Sequence, residues 1–444
     1  MMSSNFEAAL AKITDNVYLE PHPTGRSKCM ANFSFEAGTV ILSTSSFVDA
    51  LLPSVKGHRC DNCHRLHGSL KRCTGCASFF YCDQTCQNIH WRSGHRKICK
   101  LYSAYTSFQL LDLDEHKKMD AILLSNLVAH ISSVDTDERN ETSPLPTFQS
   151  LLSGPAQVTA PPICLKHAYS QRFLDGLYSR FENNNFTIHS HFKTYAHGIF
   201  PLASRLFNHS CMPNAAAKFV IRANERVKME IIALRTIAKG DEICLPYLDP
   251  ALFQTRTTIF ELTYGFKCTC SSCKVLQKLG TLPEPPKKPA ELMSVCKRLK
   301  ELVRTMGTSP FLTGNDSTST FPRELACVLH ESFMAALSEK FSEASHEGQY
   351  EVALETSSTL VSLYQLIYPP NYPQIGLHML ERAKTCWNHI VRSDSTESSA
   401  ALAEELSRSL ASAQEIITVI GPEGDSSDGP MNEVQTLLEV LKGS

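Results

Sequence analysis

Two kinds of residue in this sequence are spaced for chemistry: paired cysteines, and short runs that mix Asn, His, Tyr and Gly. Between residues 60 and 99 the chain reads Cys60-x2-Cys63, Cys73-x2-Cys76, Cys82-x3-Cys86 and His95-x3-Cys99. A CxxC pair presents two thiolates from one tight turn to a single tetrahedral ion at about 2.3 Å. The eight ligands (Cys60, Cys63, Cys73, Cys76, Cys82, Cys86, His95 and Cys99) suffice for two closed zinc sites. A segment this short and this rich in ligands cannot support a large apolar core, so metal binding would itself supply folding free energy. A further group, Cys268-x-Cys270-x2-Cys273, offers three thiolates, one short of a closed site.

The other chemistry-bearing runs are RLFNHSCMPNA (205–215), KGDEICLPYLD (239–249) and YGFKCTCSSC (264–273). Elements of known type must bring them together. Residues 12–52 read as short strands and turns, with Ala37-Gly38 predicting a hairpin turn between apolar runs. Apolar residues recur at helical spacing from Leu101 to Ser132, and 133–162 has the composition of a surface loop. Helical spacing returns at 164–182, alternating strands follow over 186–247, and TLPEPPKKPA (281–290) reads as an extended linker. Residues 291–444 are amphipathic helices, two of them joined at YPPNYP. The fold class expected is α+β, a β-rich body followed by an all-helical tail.

The whole chain sets the frame. Its 444 residues predict two to four domains at about 150 residues each. With 43 basic and 45 acidic residues the net charge is −2, which excludes a general polyanion binder. No run of eighteen apolar residues offers a membrane span. The N-terminus lacks the basic start and apolar stretch of a secretion signal, so the expected location is the cytoplasm, the nucleus or both. In a reducing compartment 17 cysteines argue for thiolate–metal chemistry rather than disulfides. Residues 56–100 carry nine Lys/Arg against two Asp/Glu. Two zinc ions and seven thiolates would lower that formal charge to about +4, consistent at most with weak, salt-sensitive contact with nucleic acid.

The fragment CDNCHRLHGSLKRCTGCASFFYCDQTCQNIHWRSGHRKICK resembles the MYND zinc finger at all eight ligand positions. Together with the three runs above, in this order and following the fragment, it resembles the SET and MYND domain-containing protein-lysine methyltransferases across essentially the whole chain. That resemblance implies a SET fold interrupted by the finger: 1–57 and 100–190 with 191–267 as SET parts, 58–99 as the finger, 268–280 as a post-SET zinc segment, and 291–444 as a TPR-like domain. It implies S-adenosylmethionine and three Zn2+, a protein substrate with an exposed lysine, proline-containing peptides as ligands of the finger, and a monomer.

By the same resemblance, Cys60, Cys63, Cys82 and Cys86 hold one ion, and Cys73, Cys76, His95 and Cys99 the other. Cys211 completes a third site with Cys268, Cys270 and Cys273. Tyr247 falls at the methyl-transfer centre. Asn208 and His209 bind the cofactor, as do Asn126, Asn184, Tyr264 and Phe266, while Phe186 and Tyr264 line the lysine channel. The family opens its SET domain with a G-x-G turn; the stretch here is TGRSKCMA, with Arg26 and Lys28 where glycines are expected. Either Gly25 makes the turn by a shift in register, or the two basic side chains meet the cofactor carboxylate. The remaining cysteines, 29, 164, 244, 296, 327 and 386, read as packing residues. The alternative reading is a catalytically impaired adaptor that recruits partners through finger and tail.

Overall fold

A computed structural model of the protein describes residues 14–22, 25–133, 144–154, 162–163, 169–306, 321–392, 396–424 and 429–443. The body begins with strands β1 (Val17–Glu20), β2 (Lys28–Ala31), β3 (Val40–Ser45) and β4 (Val48–Leu51). The cysteine-rich segment follows, with β5 (Lys71–Arg72), β6 (Phe80–Tyr81), α1 (Gln84–His90) and α2 (Arg96–Ala104). Helices α3 (Glu115–Ile131), α4 (Pro144–Gln149), α5 (Gln171–Tyr178) and α6 (Phe181–Asn184) lead back to strands β7 (Asn185–Ser190) and β8 (Lys193–Ile199). Then come α7 (Pro201–Leu206), β9 (Asn208–His209), β10 (Ala215–Val220), β11 (Lys228–Ala233), β12 (Cys244–Leu245), α8 (Thr255–Leu262) and α9 (Ser271–Leu279). The tail is helical: α10 (Pro289–Met306), α11 (Glu331–His346), α12 (Tyr350–Ile367), α13 (Pro373–Arg392), α14 (Thr396–Ile420) and α15 (Pro430–Gly443).

The strands form small sheets rather than one large one. β10, β11 and β3 make a three-stranded antiparallel sheet, and β4, β8 and β7 make another. β1 pairs with β2, and β9 runs parallel to β12. The expected hairpin at Ala37-Gly38 differs from what forms. Gly38 does turn the chain with φ +86°, but β2 pairs back to β1 through the Pro-rich PHPTGRS connection, and β3 pairs with β11. Eight residues separate β2 from β3, too many for a tight two-residue turn, and Phe35 in that gap bridges to Ile237 instead. The expected surface loop at 133–162 also contains a helix, α4, whose Phe148 is fully buried against Phe181; residues 134–143 and 155–161 lie outside the described residues. The expected strand region 186–247 is interrupted by α7, which starts on Pro201 at a position where no amide donor is needed.

Helix α3 holds the cysteine-rich segment against the body. Asp114 caps it by accepting from the Lys117 amide at 2.9 Å. Ten of its residues are buried, which leaves no wide polar face. One side packs on β4 and another on the turn at Trp91–His95, where Gly94 adopts φ +158°. A Cβ at Gly94 would lie 3.1 Å from the His130 amide nitrogen, so only glycine permits that approach. In the tail, Leu354 of α12 accepts from Arg382 of α13, and Ser357 meets His378 at 2.8 Å. The contacts descend along one helix as they ascend the other, so the two run antiparallel.

Candidate functional site

The twelve expected metal ligands gather into three groups of four: Cys60, Cys63, Cys82 and Cys86; Cys73, Cys76, His95 and Cys99; Cys211, Cys268, Cys270 and Cys273. Within each group the ligand atoms all lie within 4.8 Å of one another. A tetrahedral Zn–S distance of about 2.3 Å requires sulfurs about 3.8 Å apart. Here Cys63 and Cys82 are 3.6 Å apart, Cys73 and Cys99 3.8 Å, and Cys211 and Cys273 3.6 Å, far beyond a disulfide bond. His95 Nε2 sits 3.4 Å from Cys73 Sγ and 3.7 Å from Cys76 Sγ. The donor sets therefore fit zinc, each as a closed site. A Cβ on Gly75 would fall 2.8 Å from Cys99 Sγ, so the Cys73–Cys76 turn needs glycine there.

Side chains outside the ligand sets support them. Asn62 directs Nδ2 at Cys86 Sγ (3.6 Å). His64 is wholly buried and lies 2.9 Å from Asp49, whose carboxyl that contact holds below the usual range despite burial. His90 stacks on His95 at 5.3 Å, while His58 and His67 are exposed. Two of the nine basic side chains of the segment face inward: Lys56 pairs with Asp61 over the Phe79 ring, and Arg59 covers the Tyr195 ring at 4.1 Å.

Beside the third cluster lies a cavity of about 1990 Å³, lined by Arg26, Lys28, Asn184, Phe186, Asn208, His209, Tyr247, Tyr264 and Phe266 among others. Every expected cofactor and channel residue but one reaches it. Asn126 is the exception. It donates to the Asp49 carbonyl at 3.0 Å and borders a separate void of about 10 Å³ with His130 and Arg226, a space the size of one water. No cofactor role is assigned to it.

The side chains that reach the cavity are tied to one another. The Tyr247 hydroxyl donates to the Phe207 carbonyl at 2.7 Å and accepts from Arg26 at 3.2 Å; Arg26 also donates to the Ser204 carbonyl. The guanidinium at the expected glycine position thus sits on the tyrosine. Burial raises the Tyr247 phenol above its ordinary range, and Arg26 offsets part of that rise, so the hydroxyl stays protonated at neutral pH. Asn208 gives its amide hydrogens to Glu242 (2.9 Å) and the Ser27 carbonyl (3.2 Å). Asn184 donates to the Arg180 carbonyl at 2.8 Å.

His209 connects cavity and cluster. The Tyr247 amide donates to its Nδ1 at 3.0 Å, which leaves the hydrogen of a neutral ring on Nε2. Nε2 lies 3.2 Å from Cys211 Sγ, so the ring can donate to that sulfur. Aromatic rings close the surroundings: Tyr264 lies 5.2 Å from Tyr247, and Phe266 stacks on Phe260 at 5.2 Å.

Several contributors were not evident in the sequence. Phe260 packs 4.3 Å from the His209 ring. Arg256 is 1% exposed; it donates to the Pro250 carbonyl and to Ser272 Oγ (2.8 Å), and lies 3.8 Å from Cys273 Sγ. A single arginine among Phe253, Ile259 and Phe260 was the available signal. Tyr372, Gln374 and Glu423 bring the helical tail to the cavity wall, and nothing local in the sequence marks them. Among the expected packing cysteines, Cys29, Cys327 and Cys386 are buried, Cys244 and Cys296 half-buried, and Cys164 lies outside the described residues.

Residues 28–248 match the SET domain family model, and the two clusters between residues 60 and 99 fall inside that span. The chain is 25% identical over 428 residues to the histone-lysine N-methyltransferase ASHR1 of Arabidopsis thaliana, covering 82% of this chain and 85% of that one. It is 25% identical over 297 residues to a SET and MYND domain-containing protein of Dictyostelium discoideum, covering 56% of this chain and 50% of that one. Over 80 residues it is 36% identical to the protein-lysine N-trimethyltransferase SMYD5 of Mus musculus, 17% of this chain and 18% of that one. A SET domain match thus spans residues 28–248, just under half of the chain. The relatives the chain matches include SET and MYND domain-containing proteins.

Proposed function

We propose that the protein is an S-adenosylmethionine-dependent protein-lysine N-methyltransferase whose SET domain, with parts in 1–57, 100–190 and 191–267, is interrupted by a MYND-type finger at 58–99. In this reading 268–280 is the post-SET segment and 291–444 a TPR-like domain. The observation that carries it is the convergence of Tyr247, Asn208, Tyr264 and Phe266 on one cavity, beside the cluster that joins Cys211 to Cys268–Cys273.

The cavity residues fit the cofactor. Arg26 and Lys28 supply positive charge for a carboxylate, and Tyr264 and Phe266 supply ring faces. Asn183 Oδ1 and Ser204 Oγ are buried there without hydrogen-bond partners, and such atoms call for a ligand or water. S-adenosylmethionine supplies an electrophilic methyl group on a sulfonium. The chain must deliver a neutral lysine amine to it. Phe186, Tyr247 and Tyr264 make walls that disfavour the ammonium form and so lower the amine's pKa. Tyr247, its hydrogen committed to Phe207 and one lone pair to Arg26, presents the remaining lone pair to orient the amine. His209 holds the Tyr247 backbone and Cys211 in register, and is a positioning residue. The three cysteine clusters would each hold a zinc ion in a structural role.

The test uses zinc-replete protein. Calorimetry should detect cofactor binding, and Tyr247→Phe should lower methyl transfer onto cell extract about 100-fold while leaving cofactor affinity within about threefold. Zinc-replete protein that binds no cofactor would sink this reading and leave the adaptor.

A further inference from the structure

Glu423 follows α14 and returns to the body, where its side chain lines the same cavity as Tyr247. Its side chain is 8% exposed, yet its carboxylate is poorly satisfied. One oxygen accepts from the His191 amide at 2.6 Å. The other has His189 Nδ1 no closer than 3.9 Å, and that nitrogen has no hydrogen-bond partner of its own. A carboxylate has about four acceptor sites, so a buried one with a single short donor is set up for another donor.

The surroundings favour a cation. Lys218, whose charge acts on Glu423, is engaged elsewhere: it donates to the Ile420 carbonyl at 2.8 Å and lies 3.5 Å from Glu230. The His189 and Phe192 rings stack at 5.6 Å and 7° between planes, with Phe192 41% exposed. A guanidinium stacks on such a face. The turn that displays Phe192 is costly: His191 and Phe192 have φ +50° and +65°, a conformation normally left to Asn-Gly. Strain of that kind persists where surrounding structure enforces it and often marks a functional site. Ring contacts run without a break from Phe186, proposed for the lysine channel, through Phe200 and Phe219 to His189.

We infer that Glu423, with the ring face of Phe192, forms a subsite for an arginine side chain that flanks the target lysine of a protein substrate. This rests on the methyltransferase reading for its meaning, not for its measurement. The carboxylate gives a guanidinium a charge-assisted, bidentate partner, and the stacked rings take its flat face. Burial holds the Glu423 carboxyl high, at about 7, against the lowering effects of the His191 amide and Lys218. The titratable groups facing it are His189 and His191 from the β7–β8 turn and Lys218 from β10. His189, held down to about 4 by burial, stays neutral through this range. As pH falls below 7, Glu423 gains a proton and its grip on a cation weakens.

The probe is a synthetic peptide library with a central lysine and Arg, Gln or Glu randomised at four positions on each side. Full-length protein retains peptides at pH 8.0, and mass spectrometry reads the retained pool; methyl transfer is measured separately on the same pools. Arg should be enriched over Gln at one flanking position about tenfold, the lower range of a charge-assisted contact. Glu423→Gln should bring that ratio near one, Phe192→Ala should reduce it, and pH 6.0 should reduce it in the parent protein. The Gln-only pool should be retained equally by parent and variants. Absence of Arg enrichment in the parent, or its persistence in Glu423→Gln, overturns the subsite. If Glu423→Gln does not fold, unchanged enrichment in Phe192→Ala overturns it equally. Enrichment that depends on Glu423 without methylation of any pool would uphold the subsite and defeat the methyltransferase reading.

Discussion

Arg256 holds a full positive charge at 1% exposure, which is unfavourable unless every donor finds a partner. The terminal nitrogens find the Pro250 carbonyl, Ser272 Oγ and the sulfur of Cys273 at 3.8 Å, with the Phe253 ring 4.6 Å away, while Nε has no hydrogen-bond partner. A guanidinium beside a four-sulfur cluster offsets thiolate charge as well as bridging α8 to α9. Replacing it by methionine keeps the volume but strands those acceptors. Arg256→Met should cost about 2–4 kcal/mol in denaturant unfolding and should weaken zinc retention at Cys211–Cys273. A loss below about 0.5 kcal/mol would mean that the side chain is merely accommodated. The contrast with the cysteines is instructive. Their spacing pointed to shared sites, because ligands two to four residues apart can reach one ion, and they do gather into groups of four. Arg256 has partners 6 to 17 residues away, supplied by folding, so its role could not be read locally.

At the scale of elements, the helices of the tail were legible and the pairing of the strands was not. α12 and α13 appear where the periodicity and YPPNYP placed them. The β2–β3 turn was recognised, but partner choice depended on Phe35 and on β11, some 190 residues distant. The same packing makes the tail acid-sensitive. His378 of α13 lies between the Phe341 and Tyr364 rings and meets Ser357 at 2.8 Å. Burial lowers its pKa to about 4, against about 6.5 in an unfolded chain. Between those values the unfolded state binds a proton that the folded state refuses, so stability falls as pH drops from 6.5 towards 4. The contribution lost by pH 5.0 is about 2 kcal/mol. Urea unfolding at pH 7.5 and 5.0 should show His378→Gln losing less stability between the two than the parent, by about that amount. Equal losses would assign the acid sensitivity elsewhere, His130 being the next candidate because burial also holds it near 4.

For the whole molecule, twelve ligands in three groups predict three zinc ions per chain by elemental analysis. Chelation should lower the unfolding temperature while the circular-dichroism signal of the tail helices remains, since α10–α15 contribute no ligand. Two ions per chain, with Cys268–Cys273 reactive to a thiol reagent, would remove the third site. The SET match and the grouping of the twelve cysteine and histidine side chains could be read from motifs, because such chemistry demands residue types at fixed spacing. The tail's share of the cavity, Tyr372, Gln374 and Glu423, could not, because a wall residue needs only the right place.

The third cluster also sets a sequence of events. The two cysteine groups between residues 60 and 99 close over separations of 19 to 26 residues, whereas Cys211 meets Cys268 and Cys273 across 57 and 62. Joining more distant ends costs more chain entropy and is slower. A nascent or refolding chain would therefore close its two short-range groups early and the cavity late. Metal starvation would be felt in reverse, with the long-range ring opening first and the two short-range groups left intact on a protein that has lost its pocket.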